Sequence, residues 1–228
     1  MVPTALTPPA VRGGLRDGAP QPARTHPLWR PYTRPTDEEI AAARVGVPPL
    51  PARVDVVAPD EEWPRQYATF ASSVQAALGR RVLGLEHVGS TSVPGLWAKP
   101  VIDIDLLVAD PADEPSYVPA LEQCGFTLRI REPEWEQHRC LVHESPRCNV
   151  HVFAPGALEP RRHLAFRRWL AENPDDRERY AAIKRAIAQR GVAASTMHYN
   201  NEKAALIYDI YERIFAADPE HRHDPRPR

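Results

Sequence analysis

One apolar stretch, residues 101–108, limits what this chain can fold into more than any other. Its β-branched and aliphatic side chains, interrupted by two acids, are typical of a central strand. Side chains alternate across a strand, so Asp103 and Asp105 are expected on the same face. Two carboxylates on one face of a buried strand repel each other and are costly to desolvate. A divalent cation is the usual compensation, and oxygen ligands of this kind suit Mg²⁺. We therefore predict that both aspartates are metal ligands and catalytic residues.

A turn of small residues comes before this strand. Gly89, Ser90, Thr91 and Ser92 combine a glycine, which lets backbone N–H groups approach an anion closely, with three hydroxyls that can donate to phosphate oxygens. We expect Gly89, Ser90 and Thr91 to contact phosphate groups. The alternative is an ordinary turn before a helix, where Ser and Thr are common N-caps. A phosphate-binding turn followed by a metal-binding strand is the minimum required for phosphoryl or nucleotidyl transfer.

The same residues carry a resemblance to a known family. Apolar-Gly-Ser, twelve intervening residues and Asp-apolar-Asp resemble the signature of the nucleotidyltransferase superfamily of the DNA polymerase β type. The longer stretch from His87 to Asp105, with Val93-Pro94-Gly95-Leu96 and Ala98-Lys99-Pro100, is similar to the GrpB family. Those are small bacterial proteins placed in the same superfamily, mostly without an assigned reaction. The resemblance covers about residues 53–215 and implies an α/β (α+β) fold, with a mixed sheet of about five strands and helices packed on one side.

The boundaries of the chain suggest a single domain with appendages. Residues 1–52 form a Pro-rich arm that we expect to be partly disordered, with one short helix after a capping box of Thr36 and Glu39. The nucleotidyltransferase-like domain is predicted for residues 53–217, and residues 218–228 for a flexible tail. The arm is not part of the usual GrpB pattern. It could pack on the domain or on a second subunit, so a homodimer is one open alternative.

Composition excludes some partners and compartments. The chain has 228 residues with a formal charge of −1, and 43% of the residues are hydrophobic, which is enough for a globular core. Nucleic-acid binders usually have a basic excess, so nucleic acid is not an expected partner. No apolar run reaches the length of a membrane span, and the first eighteen residues lack the apolar core of a signal peptide. An odd count of three cysteines without paired spacing favours the reducing cytoplasm.

A predicted hairpin over residues 139–153 brings a further candidate to the site. In its second arm Asn149, His151 and Phe153 point one way. In this superfamily the corresponding strand commonly carries a third metal-side carboxylate, and here neither Asn149 nor His151 is acidic. The resemblance to GrpB implies a His-rich strand at this place. We predict that His151 is catalytic, because its near-neutral pKa would suit a base for a hydroxyl or an amine. The alternative is a satisfied core histidine.

Four basic residues are candidates for phosphate contact. Lys99 stands just before the metal-binding strand, at its mouth. Arg167, Lys184 and Lys203 lie in the helical second half of the chain and would reach a triphosphate from there. Arg167 ends the stretch 163–167, His-Leu-Ala-Phe-Arg, which resembles a further GrpB motif. The alternative for all four is a solvated surface, where Lys and Arg usually lie.

Two classes of function follow from these candidates. In the first, the protein is an enzyme that moves a nucleotidyl group, with ATP as the expected donor, to a small-molecule acceptor. Transfer of AMP to a carboxylate would make the same site an ATP-dependent ligase. In the second, the domain is a catalytically inactive nucleotide-binding or accessory module, which the missing third carboxylate favours. RNA binding is a weaker third alternative, since aromatic and basic residues do not interleave. The acceptor depends on the loop 132–138 and on the helical half.

Overall fold

A five-stranded mixed sheet forms the centre of the protein. The computed structural model describes residues 25–31, 33–47, 55–190 and 196–224, and the side chains of all of these except residues 196–202. The strands follow the order β1-β2-β5-β4-β3, in which β2 and β5 run parallel and every other pair is antiparallel. This confirms the predicted mixed sheet. The strands are β1 (Gly84–Val88), β2 (Ile102–Leu107), β3 (Thr127–Glu132), β4 (His138–Glu144) and β5 (Arg147–Phe153).

Six helices surround the sheet in the described part of the chain. The first begins at a complete capping box, in which Thr36 Oγ1 accepts from the Glu39 N–H and the Glu39 carboxylate accepts from the Thr36 N–H. The short helix predicted there is therefore confirmed. None of the helices in the described ranges combines the length and the apolar character needed to cross a membrane. They are α1 (Asp37–Ala43), α2 (Glu62–Leu78), α3 (Val118–Gln123), α4 (Leu158–Glu172), α5 (Pro174–Gln189) and α6 (Thr196–Ala216).

The main core lies between the sheet and two of these helices. Even-numbered residues of β2 and β5, among them Ile104 and Val150, are fully buried against the apolar stripe of α2 and against α3. Burial of such side chains is the dominant favourable contribution to folding. The odd-numbered residues project from the opposite face, where α4 approaches β1 and β2. Helices therefore cover both faces, and the prediction of helices on one side was wrong in that respect.

A second apolar cluster fastens the helical half to the turn before β2. Val93 and Leu96, just after the turn, pack with Leu170 of α4, Tyr180 of α5 and Ile210 of α6. Each of these side chains is at least 96% buried. Because the packing fixes α5 and α6 relative to the turn, basic residues on these two helices can reach the site.

Part of the N-terminal arm packs on its own domain. His26 pairs with Asp218 at 2.8 Å, and Arg162 donates from Nη1 to the Leu28 carbonyl at 3.0 Å. Residues 1–24 and 48–54, which carry most of the predicted disorder, lie outside the described residues. The homodimer stays a prediction, as does the cytoplasmic location.

The C-terminal segment differs from the flexible tail predicted from residue 218. His223 is 7% exposed, and its ring hydrogen-bonds Glu212 of α6 at 2.5 Å. Residues 218–224 are held in place because the arm and α6 both contact them.

Candidate active site

The two aspartates of β2 lie side by side on one face of the sheet, as predicted. Ile102, Ile104 and Leu106 occupy the opposite, apolar face. Asp105 is 2% exposed, and its Oδ1 atom is buried without a hydrogen-bond partner. Burial alone would raise the pKa of Asp103, but the His151 ring, 3.6 Å away, and a hydrogen bond from the Asn149 amide outweigh it and hold that pKa below its usual value. The site therefore contains a charged carboxylate next to one with an unused oxygen.

Gly89 joins the phosphate-type turn directly to the first aspartate. It has a φ of +71°, a conformation that L side chains rarely adopt. A Cβ at this position would lie 2.3 Å from Asp103 Oδ2. Only glycine therefore lets the backbone pass this close to the carboxylate. The following residues Ser90–Ser92 form a single 3₁₀ turn, closed by a hydrogen bond of 2.7 Å from Ser92 Oγ to the Gly89 carbonyl.

Ser90 meets a buried lysine from the helical half. Lys184 of α5 is 1% exposed, and its Nζ donates to Ser90 Oγ at 3.0 Å. Burial, with a smaller contribution from the nearby Lys203, lowers the pKa of Lys184 to about 6. Both amines lie over the ring of Tyr180, at 4.4 Å and 5.9 Å from its centroid. The structure thus brings three of the predicted phosphate contacts, Ser90, Lys184 and Lys203, to one place.

Thr91 departs from the prediction. Its side chain is 4% exposed, and its hydroxyl donates to the Val101 carbonyl at 3.0 Å while lying 3.1 Å from His87 Nε2. His87 in turn stacks on Tyr67 of α2, and burial lowers its pKa to about 4. The Thr91 hydroxyl therefore links the turn to the start of β2, and its hydrogen bonds are to protein groups.

The other two predicted basic contacts have different surroundings. Lys99 is half-buried near Asp103. Burial lowers the pKa of Lys99, and the charges of Arg147 and Lys203 lower it further, whereas the Asp103 carboxylate raises it. Arg167 instead donates to the His87 carbonyl at 2.5 Å and lies 3.4 Å from Glu86. Its guanidinium links α4 to β1, and the phosphate contact of Arg167 stays a prediction.

His151 stands at the centre of a chain of hydrogen bonds. Glu132 Oε2 lies 2.7 Å from His138 Nδ1, and His138 Nε2 lies 3.1 Å from His151 Nδ1. His151 Nε2 is 3.6 Å from Asp103 Oδ1, which also accepts 2.8 Å from the Asn149 amide. Burial lowers the pKa of His138 to about 4, so its ring is neutral near pH 7. A neutral His138 that donates to Glu132 must accept from His151 Nδ1–H, which leaves Nε2 of His151 facing the site.

A second histidine pairs with the other aspartate. His163 of α4 lies 2.9 Å from Asp105 Oδ2 through Nδ1, and 3.7 Å from Glu159 through Nε2. Burial alone would lower the pKa of His163, but the carboxylate of Asp105 outweighs it and raises that pKa. We did not predict His163 as a site residue, and we expected Glu132 and His138 only as part of the loop 132–138 on which the acceptor depends. The His163 motif was a usable sequence signal, whereas the other two depend on the hairpin register.

The donor set fits a divalent cation. Asp103 and Asp105 supply two carboxylates on one face, one with a buried oxygen that lacks a partner. Hard oxygen donors of this kind suit Mg²⁺. The described residues contain a second group of side chains of the types that bind metals. It fits a metal less well than the two aspartates and consists of His26, Asp218 and His221. His26 Nδ1 accepts from the Leu28 N–H, whereas a ring bound to metal through Nε2 would need its proton on Nδ1.

A family model, a similar protein and a similar crystal structure all relate this chain to the same family. Residues 53–213 match the model of the family described as GrpB protein. A UPF0157 protein of Halalkalibacterium halodurans is 44% identical over 182 residues, which cover 79% of this chain and 93% of that protein. A crystal structure of the conserved protein GrpB from Enterococcus faecalis is similar with a TM-score of 0.63 and 31% identity, over 70% of this chain and 96% of that one.

A more distant relative carries an enzyme name. The dephospho-CoA kinase of Mycolicibacterium paratuberculosis is 29% identical over 196 residues. The match covers 73% of this chain but 46% of the kinase, so the similarity concerns about half of that protein.

Proposed function

The chain belongs to the GrpB family, and from that premise we propose that it is a Mg²⁺-dependent enzyme that transfers a nucleotidyl group, with ATP as the donor, to a small acceptor. One observation carries the proposal. The Gly89 backbone lies against Asp103 at a distance that excludes any side chain, so the metal-type carboxylates adjoin the phosphate-type turn. A nucleotidyl transferase needs this adjacency, because metal and protein groups must hold the same phosphates.

Asp103 and Asp105 would hold the metal. The two carboxylates would hold the cation beside the phosphates, where it would supply positive charge against the negative charge that develops in the transfer. The unpartnered Oδ1 of Asp105 supports this role, since a buried oxygen without a partner costs free energy that a ligand can recover. His163 would hold the other oxygen of Asp105 in a fixed orientation.

Ser90, Lys184 and Lys203 would bind the phosphates of the nucleotide. The amine of Lys184 is buried, and no carboxylate in the described residues pairs with it. Such an amine favours an anion at this position, because the anion would stabilise its protonated form.

His151 would orient or deprotonate the acceptor. Its Nε2 faces Asp103 and is the ring atom left for substrate, because Nδ1 is bonded to His138, which in turn is bonded to Glu132. Burial alone would lower the pKa of His151, but Cys140 and the Asp103 carboxylate outweigh it and raise that pKa. The charged ring would therefore orient the acceptor by donating from Nε2, and it would take a proton from a hydroxyl or amine of the acceptor once a cation on Asp103 neutralises that carboxylate. The acceptor atom attacks the α-phosphorus of ATP, the bond to the β-phosphate breaks, and pyrophosphate leaves. If the acceptor is a carboxylate, no proton must be removed, and the product is an acyl adenylate of the kind that ligases form.

A second candidate function is a nucleotide-binding or accessory module without transfer activity. The specific observation in its favour is that Asn149 stands directly beside Asp103 in the β2–β5 pairing, where a third carboxylate would otherwise complete the metal site. Loss of one carboxylate can leave nucleotide binding intact while transfer is lost.

The test is Mg²⁺-dependent nucleotide binding by calorimetry with ATP, GTP, CTP and UTP. The double variant Asp103→Ala/Asp105→Ala is compared with wild type, and Asp113→Ala, an exposed aspartate outside the site, serves as the control. We expect binding of one nucleotide by wild type and control and its loss in the double variant. Binding without turnover in an acceptor screen would favour the module. Absence of binding in all three proteins would overturn the proposal.

A further inference from the structure

Lys99 and Arg147 are two cations beside the site that lack an anionic partner. Both are half-buried, and neither forms an ion pair within the part of the chain that the structure describes. The Nε atom of Arg147 is buried without a hydrogen-bond partner. A buried donor left unpaired costs about 1–3 kcal/mol. A buried unpaired donor on Arg147, close to a second cation that forms no ion pair in the described residues, therefore needs a separate explanation.

The strand register places both cations at the same edge of the sheet. Arg147 begins β5 and lies two residues before Asn149, so the two side chains project from the same face. Asn149 pairs with Asp103 across the parallel strands β5 and β2. Lys99 precedes Asp103 by four residues and follows the bridge that Ala98 forms with Val57. The pair thus lies where the N-terminal ends of β2 and β5 meet, next to the aspartates.

Electrostatics support their proximity to each other. After burial, Arg147 is the largest influence that lowers the pKa of Lys99, and Asp103 acts in the opposite direction. Asp103 is already engaged by Asn149 and His151. A metal ion on Asp103 would neutralise that remaining counter-charge and leave the two cations without compensation.

We infer that Lys99 and Arg147 form an anion-binding subsite, separate from the Ser90–Lys184 contact, that holds a carboxylate or phosphate group of the acceptor. This inference rests on the proposed function, because it names the class of acceptor that the same site would use. The planar guanidinium of arginine presents a fork of N–H donors that matches both anions. The subsite would reject cationic acceptors by like-charge repulsion. The acceptor class is therefore a small anionic molecule.

Inorganic phosphate is the probe for this subsite. It is titrated into the ¹⁵N-labelled full chain and followed by amide chemical shifts, with and without Mg²⁺ and a saturating non-hydrolysable ATP analogue. We expect phosphate to bind in the presence of the analogue, and Arg147→Gln to weaken that binding by about fivefold or more. The affinity for the analogue itself should change by less than about twofold. Arg80→Gln, which removes the same charge from an exposed position after α2, should leave both affinities unchanged.

The outcomes separate this inference from the proposed function. If Arg147→Gln weakens the analogue as strongly as phosphate, the pair belongs to the nucleotide site and the acceptor subsite is overturned. The subsite is likewise overturned if phosphate does not bind, or if it binds wild type and Arg147→Gln equally. A fourth outcome is that wild type binds phosphate but not the analogue, and that Arg147→Gln loses the phosphate. The anion subsite then stands and the transferase proposal fails. Lys99→Gln carries the same expectation should Arg147→Gln not fold.

Discussion

Lys184 donates a hydrogen bond of 3.0 Å from Nζ to Oγ of Ser90, a residue 94 positions earlier in the chain. This contact joins the helical half to the turn before β2, and it places an amine at the point where phosphates would bind. The amine is 1% exposed, and burial lowers its pKa to about 6. A lysine in this state is costly to the empty protein and useful to one that binds an anion.

Lys184→Met should stabilise the empty protein and weaken nucleotide binding. In wild type the unfolded lysine is protonated up to pH 10.5, whereas the folded one loses its proton near pH 6, so stability rises with pH between these values. Methionine removes this penalty, and we expect a gain of about 1–3 kcal/mol at pH 7 that shrinks as pH rises. Urea unfolding at several pH values measures the gain, and calorimetry with Mg²⁺–ATP measures the affinity. Ser90→Ala should weaken binding without this stabilisation. A less stable Lys184→Met protein would contradict the argument.

Gly89→Ala should disrupt the site more than a second glycine substitution of similar backbone strain. Gly89 and Gly95 have φ values of +71° and +76°. A Cβ on Gly89 would lie 2.3 Å from Asp103 Oδ2, whereas on Gly95 the nearest atom, Nε of Arg177, is 4.0 Å away. Both alanines should cost about 1 kcal/mol for the positive φ, but only Gly89→Ala should also abolish Mg²⁺-dependent nucleotide binding. Thermal unfolding and calorimetry of the two variants make the comparison, and equal losses of binding would remove the special role of Gly89.

The central part of the site could be predicted because it depends on local pattern. Alternation along β2 is enough to put Asp103 and Asp105 on one face. The same reasoning predicts the capping box at Thr36 and the apolar stripe of α2. These features need only neighbours in sequence.

The parts that sequence reasoning missed depend on tertiary packing. Whether the Thr91 hydroxyl points outward or toward Val101 is decided by how the turn packs on β2, and Arg167 reaches the His87 carbonyl because α4 crosses β1. The contact between His138 and His151 requires the hairpin register, in which Cys140 stands opposite His151. A single sequence does not contain that register.

Thr91→Val should destabilise the protein without weakening nucleotide binding. The hydroxyl donates to the buried Val101 carbonyl, so valine keeps the shape of the side chain and leaves that carbonyl unpaired. We expect a loss of about 1–3 kcal/mol in the free energy of unfolding and a nucleotide affinity within about twofold of wild type. Thr91→Ser, which keeps the hydroxyl, is the control and should lose less stability. A large loss of affinity in Thr91→Val at unchanged stability would restore the phosphate role that the sequence suggested.

His138 should stay neutral down to about pH 4, and Glu132→Gln should lower its pKa further. Burial lowers the pKa of His138 from 6.5 to about 4, and the Glu132 carboxylate acts in the opposite direction through its 2.7 Å contact. The unfolded state binds the extra proton first, so the contribution of His138 to stability is lost as the pH falls from about 6.5 to about 4.

Ring ¹⁵N chemical shifts followed through a pH titration report both the pKa and the tautomer. In the neutral His138 ring the proton should sit on Nδ1, facing Glu132. A proton on Nε2, or titration near pH 6.5, would mean that Glu132 and His138 do not set the orientation of His151.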